Sequence, residues 1–182
     1  GKVLVAGDDD PATTPFTAYI YDEVNSPNAW LPAGNPNSKH IGATLTRMNS
    51  GNVLLAGGYC GGACDTYNTA EIYRPFPNND WTMTSSMTNT RYYHTATLLP
   101  SGKVLVAGGL ERNTLLIRGQ CELFDEGSDT WTPAATMNQL RYLHTATLLP
   151  NGEVLVVGGI TIPANVNTFT ATTEIYDPAL NT

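Results

Sequence analysis

Positive charge is scarce in this sequence. Only nine of 182 residues are Lys or Arg, against sixteen Asp and Glu, and the net charge of −7 leaves no basic stripe to follow a phosphate backbone. Nucleic acid is therefore not an expected partner. Long apolar runs are also missing. No stretch approaches the roughly 18 to 20 residues that a membrane helix needs, so membrane insertion is not expected, and nothing reads as a signal peptide. Cysteine is sparse, with three residues, too few for a disulfide-built scaffold. Two of them share one short loop, Cys60-Gly-Gly-Ala-Cys64, either as a disulfide, as an exported protein would allow, or as two free thiols. Cys121 stands where sister segments carry Ala70 and Thr173, which reads as a small buried side chain. No Asn-x-Ser/Thr sequon is present, so that clue to secretion is missing.

What is abundant is repetition. Gly51-Asn-Val-Leu-Leu-Ala-Gly-Gly58, Gly102-Lys-Val-Leu-Val-Ala-Gly-Gly109 and Gly152-Glu-Val-Leu-Val-Val-Gly-Gly159 are near-copies, preceded by Gly1-Lys-Val-Leu-Val-Ala-Gly7. A period of about 50 residues belongs to propeller blades or solenoid units. With 41% apolar and only 14% charged residues, the chain reads as folded.

The third unit shows the plan. His94-Thr-Ala-Thr-Leu-Leu99 is a β-rich run, and Pro100-Ser-Gly102 turns it back; the sister turn is Pro150-Asn-Gly152. Val104–Ala107 follows, apolar without alternation, as expected of a strand covered on both faces. Gly108-Gly109 ends it, and a longer polar segment leads to Cys121-Glu-Leu-Phe-Asp125, matched by Ala70-Glu-Ile-Tyr-Arg74, Thr173-Glu-Ile-Tyr-Asp177 and Ala18-Tyr-Ile-Tyr-Asp22. A recurring Trp, at 30, 81 and 131, opens a fourth strand running toward Met87 or Met137. It is expected to pack on the next blade, its N–H on a backbone acceptor. Four short antiparallel strands per 50 residues describe a β-propeller blade.

These residues carry a resemblance. The Gly-Gly after strand two, the Tyr or Phe in strand three, the Trp and the Arg-x-x-His-Thr-Ala-Thr-Leu-Leu-Pro run resemble kelch repeats of the bacterial and galactose-oxidase-like kind. The implied fold is all-β, a kelch-type β-propeller segment of about fourteen strands. Its units would span 1–33 (partial), 38–87, 91–137 and 141–182 (partial). Kelch propellers serve as partner-binding scaffolds, glycan-binding modules and enzyme frames alike. Fifty and fifty-one residues beyond Trp131 stand Asn181 and Thr182 instead of a Trp, so a segment of a longer ring is expected. A closed four-bladed ring, or association with another copy through open blade edges, are the alternatives.

In an up-and-down meander the two-to-three loops and the crossovers share one end of the sheets. These loops differ from unit to unit, and variable loops on a rigid scaffold are where recognition lives. The candidate binding residues on this face are Tyr59, Tyr67, Arg91, Tyr92, Tyr93, His94, Arg112, Arg118, Arg141, Tyr142 and His144. For those that recur in register, such as Arg91 with Arg141 and His94 with His144, the competing reading is that they hold crossovers to neighbouring units. Aligning Ala43-Thr44-Leu45 with Ala96-Thr97-Leu98 puts Ile41, not His40, at the histidine position and leaves two matched histidines, too few for a metal ring. Asp8, Asp9 and Asp10 could offer oxygens to calcium or form a solvated acidic loop.

Tyr93-His94 also resembles the stretch of galactose oxidase and related copper radical oxidases in which adjacent Tyr and His bind copper. The resemblance implies Tyr93 as axial and His94 as equatorial ligand. The sister unit has Leu143-His144, and the crosslinked cysteine, the stacking tryptophan and a second copper histidine have no counterparts here. The leading expectation is thus a non-catalytic scaffold without cofactor, exported or at the cell surface, that binds a protein or glycan.

Overall fold

The computed structural model describes residues 2–7, 17–25, 29–61, 65–75, 78–162 and 166–182. Among them there is no helix, hence none long and apolar enough to cross a membrane. Strands β1 (Lys2–Ala6), β2 (Ala18–Asp22) and β3 (Trp30–Pro32) form a three-stranded sheet. Two four-stranded sheets follow: β4 (Thr44–Arg47), β5 (Val53–Ala56), β6 (Ala70–Arg74), β7 (Asp80–Met83), then β8 (Thr95–Leu98), β9 (Val104–Ala107), β10 (Cys121–Asp125), β11 (Thr130–Ala134). In the last unit β12 (Thr145–Leu148), β13 (Val154–Val157) and β16 (Thr173–Tyr176) form a sheet, while β14 (Ile160–Thr161) and β15 (Thr168–Phe169) make a separate hairpin. All these pairings are antiparallel. The fourteen repeated strands are those expected; the β14–β15 hairpin is additional. The fourth strands stop at Met83 and Ala134, short of Met87 and Met137.

The first strands of successive units lie side by side, β4 and β12 flanking β8. Alternate residues then face the preceding and the following sheet. Leu54 and Ile72 of the second sheet meet Val104, Val106 and Phe124 of the third. The opposite face of the third, through Leu105, Ala107 and Cys121, meets Val154 and Tyr176 of the fourth. Each large apolar side chain so buried contributes roughly 1.5 to 3 kcal/mol. Burial on both faces holds for β9 but not for β1, although Lys2–Ala6 and Lys103–Ala107 have the same sequence: Val3 and Val5 are 53% and 48% exposed, Val104 and Val106 fully buried. No described sheet covers that face of β1. Ile175, on the far face of the fourth sheet, is likewise exposed.

The tryptophans pack backward rather than forward. Trp81 Nε1 donates to Ala33 O and Trp131 Nε1 to Ser85 O, each at 2.9 Å, in the preceding unit. Trp30, in the first sheet, is half-exposed beside Tyr21.

Candidate functional site

The second, third and fourth units each bring their crossover and the described part of their two-to-three loop to the same end of the sheet. Gly57-Gly58, Gly108-Gly109 and Gly158-Gly159 turn the chain in the left-handed region. At Gly108 a β-carbon would sit 2.6 Å from the Arg141 carbonyl oxygen, so no other residue fits. The residue after each pair then bridges to the crossover: Tyr59 with Ile41, Leu110 with Tyr92, Ile160 with Tyr142. Tyr59 and Leu110 bridge onward to Thr66 and Ile117, and Ile160 pairs with Phe169. The loops that differ in sequence thus share a second, smaller tier of pairing.

Beneath that tier lies a buried clamp. Glu122 accepts hydrogen bonds from the crossover amides Thr88 N (2.7 Å) and Asn89 N (3.2 Å) and from Arg91 Nη2 (2.7 Å). Arg91 Nη1 donates to Gly108 O and Gln120 O. Glu174, Asn138, Gln139, Arg141 and Gly158 repeat the arrangement. Burial works to raise the Glu122 carboxyl, but the backbone donors and the Arg91 charge outweigh it and hold it below its ordinary value. The backbone of Arg91 meanwhile belongs to the second unit: Gly58 N donates to its carbonyl and its own N–H to Tyr67 O. Each clamp residue therefore fastens two units at once.

The second unit has the clamp with a histidine in place of the arginine. Glu71 accepts from Asn37 N and Ser38 N, and His40 Nε2 lies 3.0 Å from Glu71 Oε1. The strand register shows why the sequence alignment must move by two. Thr44 pairs with Ala56 as Thr95 pairs with Ala107, so His40 stands at the Arg91 position and Ala43 at the His94 position.

These contacts place the candidate residues in two groups. Arg91 and Arg141 are fully buried and His94 and His144 nearly so; they hold units together and are out of reach of a partner in the folded chain. His94 Nε2 meets Thr44 Oγ1 at 3.0 Å and His144 Nε2 meets Thr95 Oγ1 at 2.9 Å, each across a unit boundary. Burial, helped by the neighbouring arginines, keeps both imidazoles neutral: His144 is lowered to about 4 and His94 well below its ordinary value. Tyr67 is set back, its ring edge-on to His40. Tyr92 and Tyr142 are buried with Leu110 and Ile117 under the loop tier.

In the second group Tyr93 is exposed, while Tyr59 and Arg112 are half-buried. Arg112 lies over the Tyr59 ring at 4.8 Å, and its backbone N–H donates to Thr66 Oγ1 of the neighbouring loop. The Tyr59 and Tyr92 rings meet edge-on at 5.1 Å, and Tyr92 and Tyr93 at 4.6 Å. Tyr93 is 37% exposed and, like Leu143 one unit on, adopts positive φ (54° and 53°), where Gly42 sits in the second unit. Bulky residues hold that conformation only when their surroundings impose it. Here a chain of backbone hydrogen bonds does so, Tyr93 N to Gly42 O and Leu143 N to Tyr93 O. Arg118 closes its own loop through Glu111 at 2.8 Å, below the exposed Leu115 and Leu116.

The clamp glutamates and His40 escaped sequence reading. The available signal was the similar spacing of Glu71, Glu122 and Glu174 from His40, Arg91 and Arg141, 31, 31 and 33 residues. Cys60 is disulfide-bonded and Cys121 is a buried free thiol; Cys64, Asp8, Asp9 and Asp10 lie outside the described residues.

The two members of the Tyr93-His94 pair stand in different surroundings. The Tyr93 ring lies against Gly42 and Tyr92, whereas the His94 ring turns inward against Gly57 and Thr44, in the pose His144 repeats beside a leucine. Among the described residues no group of three or more His, Cys, Asp or Glu is placed to hold a metal.

No family model and no curated protein matches the chain. Solved structures do. A fungal alcohol oxidase of the AA5 family, in complex with copper, superposes with a TM-score of 0.71 at 23% identity, over 88% of this chain and 34% of that one. YjhT superposes with a TM-score of 0.69 at 15% identity, over 79% of this chain and 52% of the other. The fold is propeller-like. This chain spans about a third of the first neighbour's length and about half of the second's, and at these identities the likeness shows the fold alone. Gly42, Tyr93 and Leu143 are joined in succession beside the first strands of the second, third and fourth units.

Proposed function

We propose that this chain is part of an extracellular kelch-type β-propeller that binds a protein or glycan through its long-loop face. One observation carries the reading. The residues repeated in register are used up inside as clamps, while the unrepeated Tyr59, Arg112 and Tyr93 form a braced aromatic and cationic surface. Aromatic rings and arginine are the side chains that anchor recognition at low entropic cost. A disulfide-bonded Cys60 supports an oxidising location.

The test is a Tyr93→Ala/Arg112→Ala double variant, compared with Asn151→Ala on the opposite, short-turn end. Each is passed over immobilised glycans and extracellular proteins, with β-sheet circular dichroism as the folding control. Binding should be lost only in the double variant. Binding that survives it, or that falls with Asn151→Ala, refutes the reading.

Two other readings each have one observation behind them. The AA5 neighbour suggests an oxidase frame; stoichiometric copper, with an EPR signal lost in His94→Ala, would be required. The exposed faces of β1 and β16 suggest assembly; a solution mass above that of one chain would be required.

A further inference from the structure

The three clamps follow one plan with one exception, and the exception is chemical. Arg91 and Arg141 each donate to a glycine carbonyl and to a glutamate. In the second unit His40 performs both tasks: Nδ1 lies 2.5 Å from Gly57 O and Nε2 lies 3.0 Å from Glu71 Oε1, with both side chains completely buried. A carbonyl oxygen only accepts, so Nδ1 carries a hydrogen. Glu71 also accepts from the Asn37 and Ser38 amides and from Asn37 Nδ2, the surroundings of an ionised carboxylate, so Nε2 carries one too. A guanidinium holds such hydrogens at every pH the fold meets; an imidazole does not.

The crossover that His40 fastens leads directly to the candidate binding surface. Ile41, the next residue, exchanges two backbone hydrogen bonds of 2.9 Å with Tyr59, and Tyr59 carries Arg112. The backbone of His40 itself lies so close to Gly58 that a β-carbon there would meet it at 2.8 Å. A shift of His40 is therefore passed to the loop start and not absorbed locally.

We propose that the buried His40–Glu71 pair is a proton-operated latch on the Tyr59 side of the long-loop face, engaged while the pair holds its shared proton and released as pH rises. Its consequence for binding rests on the function proposed above; its geometry does not. Among the described residues the Tyr67 ring stands 5.6 Å away, Lys39 is the chain neighbour, and the His94 ring lies against Gly57, whose carbonyl His40 meets. Without the proton an imidazole lone pair faces a carboxylate, and the crossover loses the contact that Arg91 never loses.

The experiment is amide hydrogen exchange on the intact chain, read by NMR and corrected for intrinsic rates, from about pH 6 to about pH 9. The Ile41 and Tyr59 amides are compared with their counterparts Tyr92 and Leu110, which exchange the same pair of bonds above an arginine clamp. The protection ratio should fall by at least about tenfold across that range in the natural chain and stay level in His40→Arg. A level ratio in the natural chain, or an equal fall in His40→Arg, overturns the latch. Should His40→Arg not fold, the ring nitrogens of His40 decide: both protonated at the acid end and one deprotonated at the alkaline end supports the latch, and a neutral ring throughout overturns it. No ligand enters either measurement, so failure here leaves the binding proposal standing.

Discussion

Replacing Arg91 with Met removes the cation of one clamp while keeping the bulk of its stem. Arg91 is wholly buried; its loss strands Glu122 with two backbone donors and no counter-charge, and takes the donor from Gly108 O and Gln120 O. Breaking a buried pair from one side costs about 3 to 5 kcal/mol. For a chain of this size that corresponds to a fall in melting temperature of roughly 6 to 20 °C. The control is Arg118→Met, whose part-buried pair with Glu111 lies within one loop and joins no two units, so its loss should cost clearly less. The measurement is thermal unfolding of both variants beside the natural chain, with urea titration for the free energies. An acid signature accompanies the loss. The depressed Glu122 carboxyl supplies stability above its unfolded value that fades as pH falls through the folded one. Without Arg91 that fading should begin at higher pH. A cost under about 1 kcal/mol, equal to that of Arg118→Met, would show that the clamp does not hold the units together.

Two further outcomes follow from the same geometry. His144 is neutral in the fold, lowered to about 4 from 6.5, so its contribution is whole above its unfolded value and lost as pH falls toward 4. Urea titration at pH 7 and pH 4 should show about 3 kcal/mol of acid destabilisation that His144→Gln removes. Gly108→Ala should cost about 3 kcal/mol or more, because its β-carbon would strike Arg141 O and the His144 ring at 2.6 Å, whereas Gly152→Ala, with nothing nearer than Pro100 at 3.6 Å, should cost about 1 kcal/mol. Equal costs would remove the packing argument for the paired glycines.

Much of this architecture was legible in the chain itself, because a strand covered on both faces, such as Val104–Ala107, cannot hide its lack of alternation. The error of two residues at Ala43-Thr44-Leu45 is equally instructive. Side chains alternate with a period of two, so a slip of two returns every residue to its own face and leaves the apolar pattern unchanged. Only the pairing of Thr44 with Ala56 exposed it. The clamps were hidden for a related reason: Glu71 and Glu122 alternate with apolar neighbours, as solvent-facing residues would, and the cover over them and over Glu174 comes from crossovers some 33 to 36 residues away in sequence. The proposed binding surface draws on part of the sequence reading. Tyr59, Tyr93 and Arg112 were marked, but the bracing between them belongs to loops whose sequences share nothing.

The double attachment of Arg91, backbone to one unit and side chain to the next, also sets how such an array can lengthen or shorten. A stretch copied from one clamp residue to just before the next, residues 91–140, takes a whole fastening with it and leaves another at the join. A stretch copied from strand start to strand start, 95–144, divides a crossover between old and new neighbours. Modules spliced at clamps should therefore graft between arrays and keep their seams, while the loops they carry are free to bring new surfaces with them.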